Sequence, residues 1–181
     1  MAKIKDKFLE TAPGGGGSLE LVAKTEVTTQ VASVIFTGLT EGVYKVILKH
    51  IRPSGSSQNL QFAFGINAST FRNSSYHTSI TNFNATTLSR ISNYDGIAIL
   101  ASQQGSLSGQ YFHGEMMLYD MNIDSINSRY LFNALMRVSG DSLLTGAGIC
   151  VNAEINSSIR FSYSSANISE GEFILYKVKE E

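Results

Sequence analysis

Three oxygen-bearing side chains stand at every second position near the middle of the chain. Asp120, Asn122 and Asp124 have the spacing with which many calcium loops begin, because a hard cation takes about six to eight oxygen ligands and alternate loop residues can supply several of them. A helix–loop–helix calcium site would continue with Gly at its sixth position and Glu at its twelfth. The chain has Ser125 and Leu131 there. We therefore expect solvated loop residues, with a structural cation at a loop tip as the alternative.

A serine in the segment 140–144, Gly-Asp-Ser-Leu-Leu, could act as a nucleophile, since this segment resembles the nucleophile block of GDSL-type esterases. Such a serine is activated by a histidine within hydrogen-bonding distance, which a third group orients. In those esterases the histidine follows the serine, whereas His50, His77 and His113 all precede Ser142. We interpret the segment as a tight turn between two strands, because Gly, Asp and Ser are turn residues.

The remaining titratable residues form no cluster that the sequence reveals. The histidines lack the short spacing of metal ligands, and Cys150 lies on an alternating segment that favours a small buried side chain. A pair of acids for glycoside hydrolysis could be drawn only by elimination from scattered residues, namely Asp95, Glu115, Asp120 and Asp124. The sequence thus predicts no catalytic residue, no cofactor and no metal site, and a protein that is not an enzyme.

Aromatic side chains offer a binding chemistry instead, since the chain has 8 Tyr and 10 Phe. An aromatic ring can stack on a sugar ring while nearby amide and hydroxyl groups bond the sugar hydroxyls. The tyrosines close to predicted loops or strand ends are the candidate ligand contacts: Tyr76, Tyr94, Tyr111 and Tyr130. A place in the core or in a subunit interface is the interpretation that we favour for them.

Composition excludes several classes of partner. Charged residues make up 16% of the 181 residues and the formal net charge is -1, so no basic surface is available to neutralise a phosphate backbone and nucleic-acid binding is not expected. No apolar run reaches the ~18 residues of a transmembrane helix, and the N-terminus lacks the apolar stretch of a signal peptide. A lone cysteine builds no disulfide framework. We expect a protein made in a reducing cytoplasm and not inserted into a membrane.

Alternation of apolar and polar residues predicts strands almost everywhere after residue 17. The pattern is clearest in 44–51, 60–66 and 145–155, and turns rich in Gly, Ser and Asn separate about ten such segments. An immunoglobulin-like sandwich, a barrel and a jelly roll are the candidate architectures. The long stretch 67–94, interpreted as loop, and the size of the domain favour the jelly roll. We predict an all-β fold, an antiparallel, jelly-roll-like β-sandwich of about ten strands spanning residues 18–181.

Residues 1–17 differ from this domain. Four consecutive glycines, 14–17, cannot hold a helix or strand and predict a flexible hinge. The segment before them carries three lysines and a short amphipathic group of apolar residues. We predict that this arm anchors the domain to a larger assembly through Lys3, Ile4, Lys5, Lys7, Phe8 and Leu9.

The strand and turn pattern carries a resemblance. The segments 42–53, 59–65 and 75–77, the strand 114–119, and the closing stretch 158–176 resemble small virion proteins of tailed bacteriophages. Those proteins combine an alternating strand that ends in a proline turn, a Gly-rich loop, and a final strand that ends in Leu-Tyr. The resemblance spans residues 31–178 and implies a jelly-roll-like structural protein of the particle. It implies no catalytic residue.

The expected function is therefore a virion structural protein, on the capsid surface as a decoration or head fibre, or in the tail. Its partners would be other virion proteins and further copies of itself, with a trimer as one candidate symmetry. Low charge and abundant Ser and Asn suit a surface that packs against such partners. The alternative is a host-receptor or carbohydrate-binding module of the phage tail, in which tyrosines such as Tyr76 and Tyr94 contact surface glycans.

Overall fold

The computed structural model of the chain consists of strands and turns. It describes residues 18–84, 87–138, 140–152 and 154–179, and for residue 84 and residues 87–95 it describes the backbone alone. This part of the chain contains twelve strands and no helix. The strands are β1 (Leu19–Val27), β2 (Ser33–Phe36), β3 (Gly42–Pro53), β4 (Gln58–Gly65), β5 (Tyr76–Asn84), β6 (Thr87–Gly96), β7 (Ala98–Gln104), β8 (Phe112–Met121), β9 (Arg129–Arg137), β10 (Asp141–Cys150), β11 (Ser158–Tyr163) and β12 (Ile168–Val178).

Two antiparallel sheets form a sandwich, which confirms the predicted fold class. The larger sheet has eight strands in the order β1-β12-β3-β8-β9-β10-β5-β6, and the smaller sheet has four in the order β2-β11-β4-β7. Without β5, β6, β9 and β10, the strands numbered along the chain would read 1-8-3-6 in one sheet and 2-7-4-5 in the other. This is the strand order of a jelly roll, two Greek keys folded over one core.

Two hairpins are inserted into that jelly roll. The hairpin β5–β6 lies between β4 and β7 along the chain, and β9–β10 lies between β8 and β11. β9 adds to the free edge of β8, and β10 then pairs with β5 from Cys150 opposite Tyr76 to Ser142 opposite Asn84. The larger sheet is thereby extended by four strands, β9-β10-β5-β6, which we call the extension.

Most of the first inserted hairpin was predicted to be a loop, and that prediction was wrong. Residues 76–84 and 87–96 are strands, so the interpreted loop 67–94 is largely a β-hairpin. The outward positions of β5 are polar except at Phe83, and its inward positions include Thr78 and Asn82 beside Tyr76 and Ile80. Thr has high β-propensity but gives no apolar alternation, which explains why the period was not visible.

The core between the sheets is dominated by aromatic rings. Phe62 lies 4.8 Å from Phe64 and 5.4 Å from Phe161 between ring centroids, and Phe161 lies 5.5 Å from Phe173. All four side chains are fully buried. Burying a ring of this size stabilises the fold by about 1.5–3 kcal/mol. Because Phe173 belongs to the larger sheet and the other three residues to the smaller sheet, this group holds the two sheets together.

Glycines shape the extension where β9 and β10 pair. The inward side chains of β9 include Tyr130 and Phe132, and the residues paired with them on β10 are Gly148 and Gly146. A Cβ atom at Gly148 would overlap the Tyr130 ring, and one at Gly146 would overlap the Phe132 ring. The two rings therefore lie across the bare backbone of β10, which only glycine permits at these positions.

Ion pairs join the edge strand β1 to the rest of the larger sheet. Lys24 on β1 and Lys49 on β3 lie 2.7 Å and 2.8 Å from the two carboxylate oxygens of Glu172 on the intervening β12. Hydrogen bonds and charge from both ammonium groups lower the pKa of Glu172 to about 2. Three strands are thus connected by one carboxylate at the surface.

We predict that Gly148→Ala destabilises the protein by about 1–3 kcal/mol, because the new methyl group displaces the packed Tyr130 ring. Denaturant unfolding followed by circular dichroism measures the free energy of unfolding. Gly140→Ala is the matched control, since a Cβ at Gly140 meets no atom within 4 Å. Equal stability of the two variants would contradict the packing of Tyr130 on β10.

We predict that Glu172 contributes a pH-dependent part of the stability. A carboxyl group whose folded pKa is depressed stabilises the fold above its unfolded pKa of about 4.3, and this contribution is lost as the pH falls toward 2. Lys24→Met removes one partner, so the pKa of Glu172 rises in an NMR titration of its carboxyl carbon. Lys179→Met, which removes the amine 3.4 Å from Glu20 instead, leaves it unchanged. An unmoved Glu172 pKa in Lys24→Met would refute the three-strand ion pair.

Candidate functional site

The extension carries an outer face that the smaller sheet does not cover. Burial alternates strictly along β9, where the even-numbered residues from Tyr130 to Met136 are buried and the odd-numbered residues are exposed. The pairing of β8, β9, β10 and β5 places the outward residues of these strands in rows. Side chains on this face meet solvent or a partner.

Large apolar side chains line these rows. Leu135 of β9 pairs with Leu143 of β10, which pairs with Phe83 of β5. Their exposed fractions are 46%, 52% and 45%. Leu131, four residues before Leu135 on the same side of the sheet, is 48% exposed but lies beyond the polar row of Asn133, Thr145 and Thr81. We call Leu135, Leu143 and Phe83 the outer apolar face. A contiguous apolar group of this kind on a sheet marks an interaction surface, whereas single exposed leucines do not.

Charged side chains around the outer apolar face are paired with opposite charges. Arg137 lies 3.7 Å from Asp141. On the side toward the jelly roll, Lys45 lies 2.7 Å from Glu115. A third pair, described below, lies beyond Leu131. The charges of these described side chains therefore balance one another.

A groove of about 550 Å³ opens at the end of this face. Its rows follow the sheet register, since Tyr119 pairs with Arg129, Arg129 with Ile149, and Ile149 with His77. The next row contains Leu131 and two small residues, Ala147 and Ser79. Small side chains between larger ones leave the depression, and Asp120 at the end of β8 completes its border.

The carboxylate and the guanidinium at the border of the groove form the third charge pair. Asp120 lies 3.5 Å from Arg129, and their side chains are 28% and 60% exposed. Tyr119, next to Asp120, is half-buried. The groove thus combines one aromatic ring, one cation and one anion over a mostly apolar floor.

Three rings meet at another place on the same face. The ring centroids of His50 and His113 lie 4.3 Å apart, and Tyr111 lies 4.8 Å from His113 and 5.1 Å from His50. The backbone N–H of His50 donates to Nδ1 of His113 at 3.3 Å. Burial, together with the charge of His50, lowers the pKa of His113. This contact could not be predicted from the sequence, because it depends on the irregular pairing of β3 with β8 between Leu48 and Ile51.

The candidate tyrosines are separated by the structure. Tyr76 and Tyr130 belong to the core, where their hydroxyl groups are bonded internally: the Phe64 N–H donates to Tyr76 Oη at 2.6 Å, and Tyr130 Oη lies 2.7 Å from Thr78 Oγ1. Burial raises the pKa of both phenols. Neither ring is available to a surface ligand. Tyr111 is half-buried in the ring cluster with the two histidines, and the side chain of Tyr94 lies outside the described residues.

Ser142 does not share a face with the histidines of the neighbouring strands. It pairs with Met136 on the inner side, whereas His113 pairs with Leu135 and His77 with Ile149 on the outer side. The third histidine, His50, packs against His113. The predicted turn between β9 and β10 exists, but β10 begins at Asp141, so only Gly140 of the segment 140–144 lies in it. Because Asp141 pairs with Arg137, residues 141–144 belong to strand β10.

The residues proposed as metal ligands or acids are dispersed. Asp120 pairs with Arg129, Glu115 pairs with Lys45, and Asp124 is exposed and accepts the N–H of Ser125 at 2.9 Å. Asp95 has no described side chain. Among the described residues no group of three His, Cys, Asp or Glu could hold a metal ion. Cys150 is buried as predicted, and burial raises the pKa of its thiol.

The predicted anchoring arm, residues 1–17 with Lys3, Ile4, Lys5, Lys7, Phe8 and Leu9, lies outside the described residues. The strand that follows it is described, and the first four residues of β1 are exposed. Leu19, Leu21 and Val22 are 49%, 58% and 45% exposed. Exposed apolar residues on an edge strand are a place where another chain can add to a sheet.

Comparison of the chain with protein-family models gives no match, and comparison with curated proteins gives no significant match. The described part of the chain contains no helix that is long and apolar enough to cross a membrane. The function is therefore inferred from the surfaces of the protein itself.

We predict that the outer apolar face holds copies of the chain together. Leu135→Ser combined with Leu143→Ser should lower the mass measured by light scattering toward that of a monomer while the chain stays folded, because both side chains are about half exposed. Leu107→Ser is the matched control, since Leu107 is 68% exposed on a loop and outside this face. A mass unaffected by the double substitution would contradict this role.

Proposed function

We propose that the chain is a non-enzymatic structural protein of a tailed bacteriophage particle. In this proposal residues 1–17 attach it to other virion proteins, and the jelly roll forms a homo-oligomer on the capsid surface or in the tail. The protein would be made in the host cytoplasm and act in the virion. Supporting this are the jelly-roll strand order and the strand patterns that resemble small phage virion proteins.

The observation that carries the proposal is the outer apolar face. Three large apolar side chains, each about half exposed, lie side by side in one row of the larger sheet. Such a surface costs solubility unless a partner covers it. Its residues come from the two inserted hairpins, which the jelly roll itself does not require. We infer that the hairpins serve contact with a partner.

Charge supports a second copy of the chain as that partner. Among the described side chains, Lys45, Arg129 and Arg137 beside the face each have an acidic partner within the chain. Two copies therefore meet without repulsion between like charges, while a strongly charged partner would gain little attraction. The low overall charge of the chain, -1, acts in the same direction.

The exposed start of β1 supports attachment through the N-terminal arm. Leu19, Leu21 and Val22 continue directly from residue 17 along the edge of the larger sheet. A virion protein that binds Ile4, Phe8 and Leu9 would find these apolar residues next along the chain. Attachment through a short segment at one sheet edge leaves the outer apolar face free for neighbouring copies.

We predict that a chain beginning at Ser18 folds but fails to enter particles. Complementation of a phage that lacks the gene, followed by mass spectrometry of purified particles, compares its incorporation with that of the full chain. The full chain with Leu107→Ser is the control for expression and handling. Incorporation of the truncated chain at the level of the full chain would refute the anchoring role, and absence of the full chain from particles would refute the virion assignment.

A further inference from the structure

The groove at the end of the outer apolar face has the properties of a ligand site. Its volume of about 550 Å³ lies within the range of about 300–1,000 Å³ that small-molecule sites occupy. Ala147, Gly148 and Ser79 give it a floor of small groups, and Leu131 and Ile149 are among its apolar walls. Tyr119 supplies the aromatic ring.

The polar groups of the groove are few and convergent. Asp120 offers a carboxylate that accepts hydrogen bonds, and Arg129, 3.5 Å away, offers a guanidinium that donates them. His77 lies on the opposite side of the same row. An acceptor and a donor side by side match the hydroxyl groups of a sugar, which both donate and accept. The C–H face of a pyranose matches an aromatic ring.

Charge balance selects among ligand classes. Asp120 offsets the charge of Arg129, so a phosphate or a carboxylate would meet an acidic side chain beside the arginine that lines the groove. A ligand without net charge avoids this repulsion and still uses both groups. The groove therefore favours a neutral carbohydrate over an anion.

A buried polar network holds the backbone of Asp120 in place. The Ser128 hydroxyl donates to the backbone oxygen of Asp120 at 3.1 Å, and the Asn156 amide donates to that hydroxyl at 3.0 Å. The side-chain oxygen of Asn156 accepts from Arg72 Nε at 2.9 Å. Ser128 and Asn156 are both buried. Support of this kind fixes the side chains of a binding site before the ligand arrives.

The chain turns at the border of the groove. Asp120 and Asn122 have φ angles of 58° and 56°, in the left-handed region that Asp and Asn adopt more readily than other residues with a side chain. The Asn122 N–H donates to the Asn156 backbone oxygen at 3.0 Å, which holds the turn.

We propose that this groove binds a neutral oligosaccharide, with the ring of Tyr119 stacked on one sugar and with Asp120 and Arg129 bonded to its hydroxyl groups. This binding goes beyond the structural role in the particle. The residues that bind the sugar differ from Leu135 and Leu143, on which the proposed contact between copies depends. The two activities can therefore fail separately.

The test is an NMR titration of the ¹⁵N-labelled full chain with maltotriose, cellotriose and tri-N-acetylchitotriose. At least one of these probes is expected to shift the amide signals of Tyr119, Asp120, Ala147 and Ile149 in a saturable manner. Tyr119→Ala should weaken this binding by about tenfold or more, because the stacking surface is lost. Tyr119→Phe keeps the ring and should retain most of the affinity.

Tyr176→Ala is the matched control. Tyr176 is a half-buried tyrosine on β12, at a position paired with Lys45 on the larger sheet and outside the groove, so its removal should leave binding unchanged. Thermal unfolding of each variant verifies that it is folded.

Several results would overturn the proposal: no saturable shift with any of the three probes, equal binding by Tyr119→Ala, or equal loss in Tyr176→Ala. Burial of the groove by a second copy of the chain would also overturn the proposal. Such burial would be recognised if Tyr119→Ala lowered the mass of the oligomer and left sugar binding unchanged. Loss of oligomers in the Leu135→Ser and Leu143→Ser double variant, with sugar binding intact, would separate this site from the proposed structural role.

Discussion

The pairing of β10 with β5 is the contact on which the distinctive part of this structure depends. Each of these strands belongs to a hairpin inserted at a different point of the jelly roll, and nine residue pairs between Ser142 and Cys150 join them into one sheet. Without this pairing the hairpin β5–β6 would be separated from the larger sheet. The rows of outward side chains, and with them the outer apolar face and the groove, exist only because the two hairpins share one register.

That register is supported from the inner side. Tyr130 and Phe132 lie across Gly148 and Gly146, and the Tyr130 hydroxyl bonds to Thr78 of β5 across the intervening strand. Strand β7 of the smaller sheet contacts β5, β9 and β10, so the extension is packed against the same core as the jelly roll. A shift by one residue would turn Leu135 and Leu143 inward and the core side chains outward. Core packing thus determines which residues the outer surface presents.

Alternation in the sequence was sufficient to predict an all-β sandwich and most of its strands. It failed for β5 and β6, because Thr, Ser and Asn occupy so many of their positions that the apolar period disappears. Pairing with β10 is what places β5 in the larger sheet, and the local sequence does not reveal that pairing. The binding residues were harder to predict. Tyr76 and Tyr130 were selected for their position near strand ends, yet both point inward. Tyr119 was not selected, although it alternates with buried Leu118 and so could have been assigned to the outer face. The contact of His50 with His113 required the three-dimensional structure, since 63 residues separate them.

In the proposed function, further copies of the chain cover the outer apolar face of the extension on a phage particle. A cryo-electron microscopy map of intact particles, at a resolution that traces strands, is the decisive test of this contact. We expect neighbouring copies in contact through Leu135, Leu143 and Phe83, with the start of β1 directed toward the particle. Copies that are present but leave this face open to solvent, or a particle without this chain, would contradict it.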